Sequence, residues 1–250
     1  IDKTVVKLLS IALFWFAFAA TAPAAILLNE PFNYPNGPIE SASGSNWLNF
    51  SGTANQVVIT NGRVALNLAS AEDVEATLTP PPSTDVLFAG FTVRFTTTPS
   101  SGGTYFAMFK GDGVSTAFRA RVWALTNGVP GGGKFRLGLS SIASTLNVTN
   151  TTDLSTNVDY RVVVCVTNVT GAATLWINPS NAASASVTTT GETDTLTTTT
   201  RFALRQGSSG PGQLTLDDLI VGESFAEVVS TNPPPAAPLP TAAISVLDYN

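Results

Sequence analysis

The side chains best suited to recognise or transform a ligand are arginines spaced two apart in strand-like runs. In Phe118-Arg119-Ala120-Arg121-Val122-Trp123-Ala124, strict alternation sends Arg119, Arg121 and Trp123 to the side opposite Phe118, Ala120 and Val122. The same rule groups Thr92, Arg94 and Thr96, pairs Lys134 with Arg136, and sets Arg201 and Arg205 opposite Phe202 and Leu204. Placed in one sheet, Arg94, Arg119, Arg121 and Arg136 would form a basic face with Trp123 as an aromatic platform on it. A guanidinium group binds carboxylate or sulfate in a planar, two-pronged geometry. An indole offers a flat apolar surface for stacking and an N–H free to donate. The ligand expected from this face is an anionic glycan. The competing expectation is that the arginines pair with Asp and Glu of neighbouring strands and that Trp123 fills a gap, since sheets commonly keep one polar face in water.

Several other chemistries are closed. The chain contains no histidine, the side chain most used for proton transfer near neutral pH and a common metal ligand. Ser-His-Asp and Cys-His catalysis are therefore excluded, as are histidine-based metal sites. The one cysteine, Cys165, sits in Val162-Val163-Val164-Cys165-Val166, so no intrachain disulfide forms and the thiol reads as a small buried hydrophobe. A net charge of −5 argues against nucleic acid, because neutralising phosphates needs clustered Lys and Arg.

Acidic residues leave two openings. Glycoside hydrolysis usually needs two carboxylates, and in Glu72-Asp73-Val74-Glu75 the side chains of Asp73 and Glu75 would share a face. The plainer reading of that run is a solvated charged edge. Calcium takes carboxylate and carbonyl oxygens in a flexible shell. Glu30 on the first strand, with Asp217 and Asp218 on the last, would supply such ligands and tie the termini together with a structural calcium. The alternative there is an ordinary exposed acidic turn.

The elements that must position these residues are strands. Apolar side chains recur with period two in Phe91-Thr92-Val93-Arg94-Phe95-Thr96 and in Lys134-Phe135-Arg136-Leu137-Gly138-Leu139. Turns fall at Asn61-Gly62, Gly111-Asp112-Gly113, Asn127-Gly128 and Gly131-Gly132-Gly133, where glycine and asparagine accept the positive φ of tight hairpins. Many short strands at regular spacing read as an antiparallel sandwich or barrel. Ahead of them, residues 1–24 read as a secretory signal peptide: Lys3 and Lys7, an apolar run from Leu8 to Ala20, then Ala22-Pro23-Ala24. The uncharged run is shorter than the roughly 20 residues of a bilayer span, so no membrane span is expected after cleavage and the product is secreted or held at the cell surface. Residues 25–229 form one domain, 230–241 a proline-rich linker, and 242–250 the start of a following module in a longer multidomain chain.

Leu27-Leu28-Asn29-Glu30-Pro31-Phe32-Asn33-Tyr34-Pro35-Asn36-Gly37, Trp47, Tyr105-Phe106-Ala107-Met108-Phe109-Lys110 and the closing Leu216-Asp217-Asp218-Leu219-Ile220-Val221-Gly222 resemble a bacterial family of secreted laminin-G-like, concanavalin A-like jelly rolls. The resemblance implies an all-β, antiparallel two-sheet jelly-roll sandwich, often appended to other modules in envelope or polysaccharide-processing proteins. Jelly-roll glucanases carry Glu-x-Asp-x-x-Glu on one strand, and the third acid is missing here. Jelly-roll polysaccharide lyases also carry arginines on a sheet, but those with a histidine base have no counterpart in this chain. The function expected from sequence is a non-catalytic carbohydrate-binding or surface-attachment module whose partner is a polysaccharide or cell-surface glycan. A structural spacer, or a divergent polysaccharide hydrolase or lyase, are the alternatives.

Overall fold

Alternating apolar side chains build two facing antiparallel sheets in the computed structural model, which describes residues 25–112, 117–192, 198–208 and 210–229. The expected signal, linker and following module lie outside the described residues. The first strands are β1 (Ile26–Glu30), β2 (Gly37–Pro38), β3 (Trp47–Ser51), β4 (Val58–Thr60), β5 (Arg63–Asn67) and β6 (Asp73–Thr77), with a one-turn helix α1 (Ile39–Ala42) after β2. The long central strands follow: β7 (Val86–Thr97), β8 (Thr104–Gly111), β9 (Phe118–Leu125) and β10 (Lys134–Ser140). After them come β11 (Val148–Thr149), β12 (Leu154–Ser155), β13 (Tyr160–Thr167) and β14 (Ala173–Ile177). The last elements are β15 (Ser186–Thr188), β16 (Thr199–Arg205), β17 (Gln213–Gly222) and the short helix α2 (Phe225–Val229).

Among the described residues the first sheet runs β15-β14-β13-β7-β17-β5-β4-β2, with β1 also on β17. The second runs β11-β10-β9-β8-β16-β6-β3, with β12 on β10. This is the antiparallel two-sheet jelly-roll sandwich expected from the sequence. The first and last strands are neighbours as anticipated, Glu30 of β1 standing opposite Leu219 of β17.

Period-two alternation explains the core. Phe91, Val93 and Phe95 of β7 face Phe106 and Phe109 of β8, Phe135 of β10 and Phe202 of β16, all fully buried. Their rings meet across the gap: Phe95 lies 4.5 Å from Phe135 and 5.6 Å from Phe106, and Phe91 lies 6.2 Å from Phe106. Full burial of such a side chain is worth about 1.5–3 kcal/mol, so this seam holds the sheets together without a disulfide. Among the described residues no helix is long and apolar enough to cross a membrane.

Helix α2 covers the outer face of the first sheet. Val228 packs with Val163, Trp176 and Ile220, and the Phe225 ring lies 5.2 Å from that of Trp176. Arg161 fastens the helix by donating to the carbonyl oxygens of Val228 at 2.6 Å and Asp218 at 2.8 Å. Gly90 makes the close approach possible, because a Cβ there would overlap the Val228 carbonyl oxygen. Gly90→Ala is therefore expected to cost about 1–3 kcal/mol, as forced overpacking does. Urea unfolding measures this, and an unchanged midpoint would contradict the seat described for α2. Cys165 lies half-buried under the same helix, and burial pushes its thiol up to about 11.

Candidate active site

The outward face of the second sheet carries Asp73 and Glu75 from β6, Arg201 and Arg205 from β16 and, because the β8–β9 register shifts twice, both Tyr105 and Lys110 from β8. A bulge decides what β9 adds. Ala107 stands opposite Val122 but Phe109 stands opposite Arg119, so one more residue is used on β9 than on β8. Ala120 takes a φ of 48° within that interval. Such a bulge turns one side chain to the other face. Phe118 thereby joins Arg121 and Trp123 on the outward face, while Arg119 is placed opposite the core residue Phe109. This corrects the alternation expected from sequence, which put Arg119 with Arg121 and set Phe118 against them.

Tyr105 is the centre of the face. The guanidinium carbon of Arg205 lies 4.2 Å from its ring centroid and that of Arg121 5.5 Å. The Trp123 ring is 5.2 Å away. The Tyr105 side chain stays half-buried, whereas Arg121 is only 5% exposed. Arg121 is held by donating to the carbonyl oxygens of Ser141 and Ala143. Burial lowers its pKa from the usual arginine range, and Tyr105 is the largest influence in the opposite direction. Trp123 donates its indole N–H to Ser140 Oγ at 2.9 Å, so that N–H is not free for a ligand.

A second group of charges lies beside it. Glu75 holds the Lys110 ammonium at 2.8 Å and the Arg201 guanidinium at 2.7 Å, and Arg201 reaches Asp112 at 2.9 Å. Lys110 is 1% exposed and sits 5.1 Å from the centroid of Phe50. Arg205 faces Asp73 at 3.7 Å and donates to Thr104 Oγ1 at 3.2 Å. The run Glu72-Asp73-Val74-Glu75 is thus no solvated edge. Glu72 is buried and accepts backbone N–H groups of Asn55, Gln56 and Val57.

Burial pushes Asp73 up to about 6, against the opposing pull of Arg205 and the Gln206 N–H. An unfolded aspartate titrates near about 3.9, so the folded state binds the proton more tightly between those values. The stability this confers is complete below about pH 4 and is lost as pH rises through about 6. Asp73→Asn is expected to flatten that fall in urea midpoints measured across the window. A slope identical to that of the unaltered chain would contradict the assignment.

The five residues expected to form one basic face are divided. Arg94 belongs to β7 of the other sheet, with Asp159 at 3.8 Å. Arg136 is paired with Asp153 at 2.6 Å. Only Arg121 and Trp123 remain together, and the pairing alternative describes Arg94 and Arg136 better than the basic face does. The residues expected to hold calcium are also apart in role. The Glu30 carboxylate accepts from Phe32 N–H at 2.9 Å, Tyr34 O–H at 2.7 Å and Trp47 Nε1–H at 3.0 Å. Asp217 takes Arg63 at 3.2 Å, and Asp218 faces Thr92 Oγ1 at 3.5 Å. Among the described residues no three His, Cys, Asp or Glu side chains are grouped to hold a metal ion. Sequence reasoning missed Tyr105 and Lys110 as members of the site, and it placed Asp73 and Glu75 on one face without their basic partners. The available signal was Tyr105-Phe106-Ala107-Met108-Phe109-Lys110, whose polar ends point the same way only once the bulges are counted.

No protein-family model and no curated protein matches this sequence. Among solved structures, a family 7 alginate lyase variant in complex with its product is similar, with 15% identity, a TM-score of 0.50, and coverage of 76% of this chain and 100% of that one. The marine PL7 alginate lyase of Zobellia galactanivorans is similar at 13% identity and a TM-score of 0.46, covering 68% of this chain and 81% of that one. A sialidase is similar at 10% identity and a TM-score of 0.46, over 79% of this chain and 19% of its own length. At these identities the likeness is one of fold. The concanavalin A-like jelly-roll sandwich stands, while the narrower laminin-G-like assignment has no family match behind it. The expectation of a non-catalytic binding or attachment module, and of a chain that is no enzyme, is corrected: the product-bound structure sharing this fold is an alginate lyase.

Proposed function

We propose that the chain is a polysaccharide lyase that cleaves an acidic, uronate-containing polysaccharide by β-elimination. The observation that carries this reading is Tyr105 held between the guanidinium groups of Arg121 and Arg205 on an outward sheet face. The product-bound alginate lyase of the same fold supports it.

The chemistry follows from what a uronate unit requires. Its C5 hydrogen lies next to the carboxylate, and it becomes acidic when that negative charge is neutralised. Arg205, whose side chain is 22% exposed, is open to a substrate carboxylate and suited to grip it with two parallel hydrogen bonds. Tyr105, acting as the phenolate, takes the C5 proton while both arginines offset the negative charge of the site. The released electron pair forms a C4–C5 double bond as the C4–O4 bond breaks. The proton then passes from Tyr105 to the departing O4, which leaves the tyrosine as it began. With no histidine in the chain, tyrosine is the proton carrier that the face provides.

The test is incubation with a panel of acidic and neutral polysaccharides, followed by the ultraviolet absorbance of the unsaturated product. Absorbance is expected to rise with uronate polymers and stay flat with neutral ones. A flat trace for every uronate polymer would remove the lyase reading.

A further inference from the structure

A cavity of about 520 Å³ opens at the edge of the second sheet, where β1, β3 and β6 meet. Its size falls within the range of small-molecule sites, about 300–1,000 Å³. Its lining is the opposite of the Tyr105 cluster. Asn29, Asn46, Tyr34 and Thr77 supply amides and hydroxyls, Leu48 supplies an apolar surface 41% exposed, and no Lys or Arg is among the described residues lining it. One wall is Glu75, 7% exposed, whose Oε2 accepts no hydrogen bond of ordinary geometry although the Lys110 ammonium lies 2.8 Å away. That oxygen is closed to solvent, so Glu75 bounds the cavity as an ion-paired wall and the Asn, Tyr and Thr side chains supply its hydrogen-bonding groups. A carboxylate placed here would find no lining Lys or Arg to pair with, because the Lys110 and Arg201 charges beside the cavity are already taken up by Glu75.

We infer that this cavity is a subsite for an uncharged, hydroxyl-rich sugar unit, so that the polysaccharide taken by the chain combines uronate units with neutral ones. The inference rests on the lyase reading for its account of the uronate unit. Strand order supports one substrate crossing both places, because only β16 separates β6, which carries Glu75, from β8, which carries Tyr105. Glu75 itself joins them, since it lines the cavity and anchors Lys110 and Arg201 on the same sheet face.

The test is calorimetric titration of the full chain with neutral oligosaccharides of glucose, galactose and mannose, and with the matching uronate oligomers. At least one neutral series is expected to bind saturably. Thr77 is exposed at the cavity wall, so Thr77→Arg should keep the fold and weaken neutral binding at least about tenfold, a change of about 1.4 kcal/mol. Asn46→Trp fills the cavity from the loop side and gives the same answer should Thr77→Arg lose its melting transition. Absence of neutral binding, or neutral binding that survives both cavity variants, would overturn the subsite. The lyase reading fails by a different readout, the absence of unsaturated product, so the two outcomes are distinguishable.

Discussion

Replacing Tyr105 by phenylalanine is expected to lower turnover of an acidic polysaccharide by about 10²–10⁴-fold, the usual contribution of a positioned proton carrier. The change removes one oxygen and keeps the ring. Packing against Arg205 at 4.2 Å, Arg121 at 5.5 Å and Trp123 at 5.2 Å is retained, so the melting temperature should hold. Because Arg205, which grips the carboxylate, is untouched, KM should move little and the loss should fall on kcat. Initial rates across substrate concentrations separate the two. A kcat near that of the unaltered chain would place proton transfer elsewhere, and a matching fall in thermal stability would show a structural role instead.

Glu75→Ala is expected to destabilise the fold by about 3–5 kcal/mol, the cost of removing one member of a buried ion pair. Lys110 is the residue that makes the effect large. It is 1% exposed and its ammonium lies 2.8 Å from Glu75. Arg201, 20% exposed in its side chain, keeps Asp112 at 2.9 Å and can turn to water. Adding Lys110→Met to Glu75→Ala should recover most of the loss, since an apolar chain of similar length removes the buried charge that lost its carboxylate. Chemical denaturation of the two single variants and the double variant measures the coupling. Additive losses would contradict the charge-pair account.

The sandwich was legible because alternation is a local property. Phe91, Val93 and Phe95, and likewise Phe135, Leu137 and Leu139, declare their buried side within one strand, and all six are fully buried. Pairing between β1 and β17 followed from the habit of jelly rolls. The site was much less legible. Arg94 and Arg121 alternate equally well in sequence, yet strand order puts them in different sheets. The bulge at Ala120 reverses Phe118 and Arg119 with no glycine or proline to announce it. Tyr105 gains its meaning from Arg205, one hundred residues away on β16, and no spacing rule reaches that far. Glu72 and Glu75 read as surface charges because their partners, backbone N–H groups of residues 55–57 and the Lys110 ammonium, are brought to them only by folding.

Mass spectrometry of the products distinguishes elimination at the Tyr105 face from hydrolysis. The full chain incubated with a uronate polysaccharide should release oligomers lighter by one water than the hydrolysed series, each with a double bond at its new non-reducing end. A product series with no oligomers one water lighter than the hydrolysed series, or a polymer left uncut, would show that the Tyr105 face does not cleave by elimination.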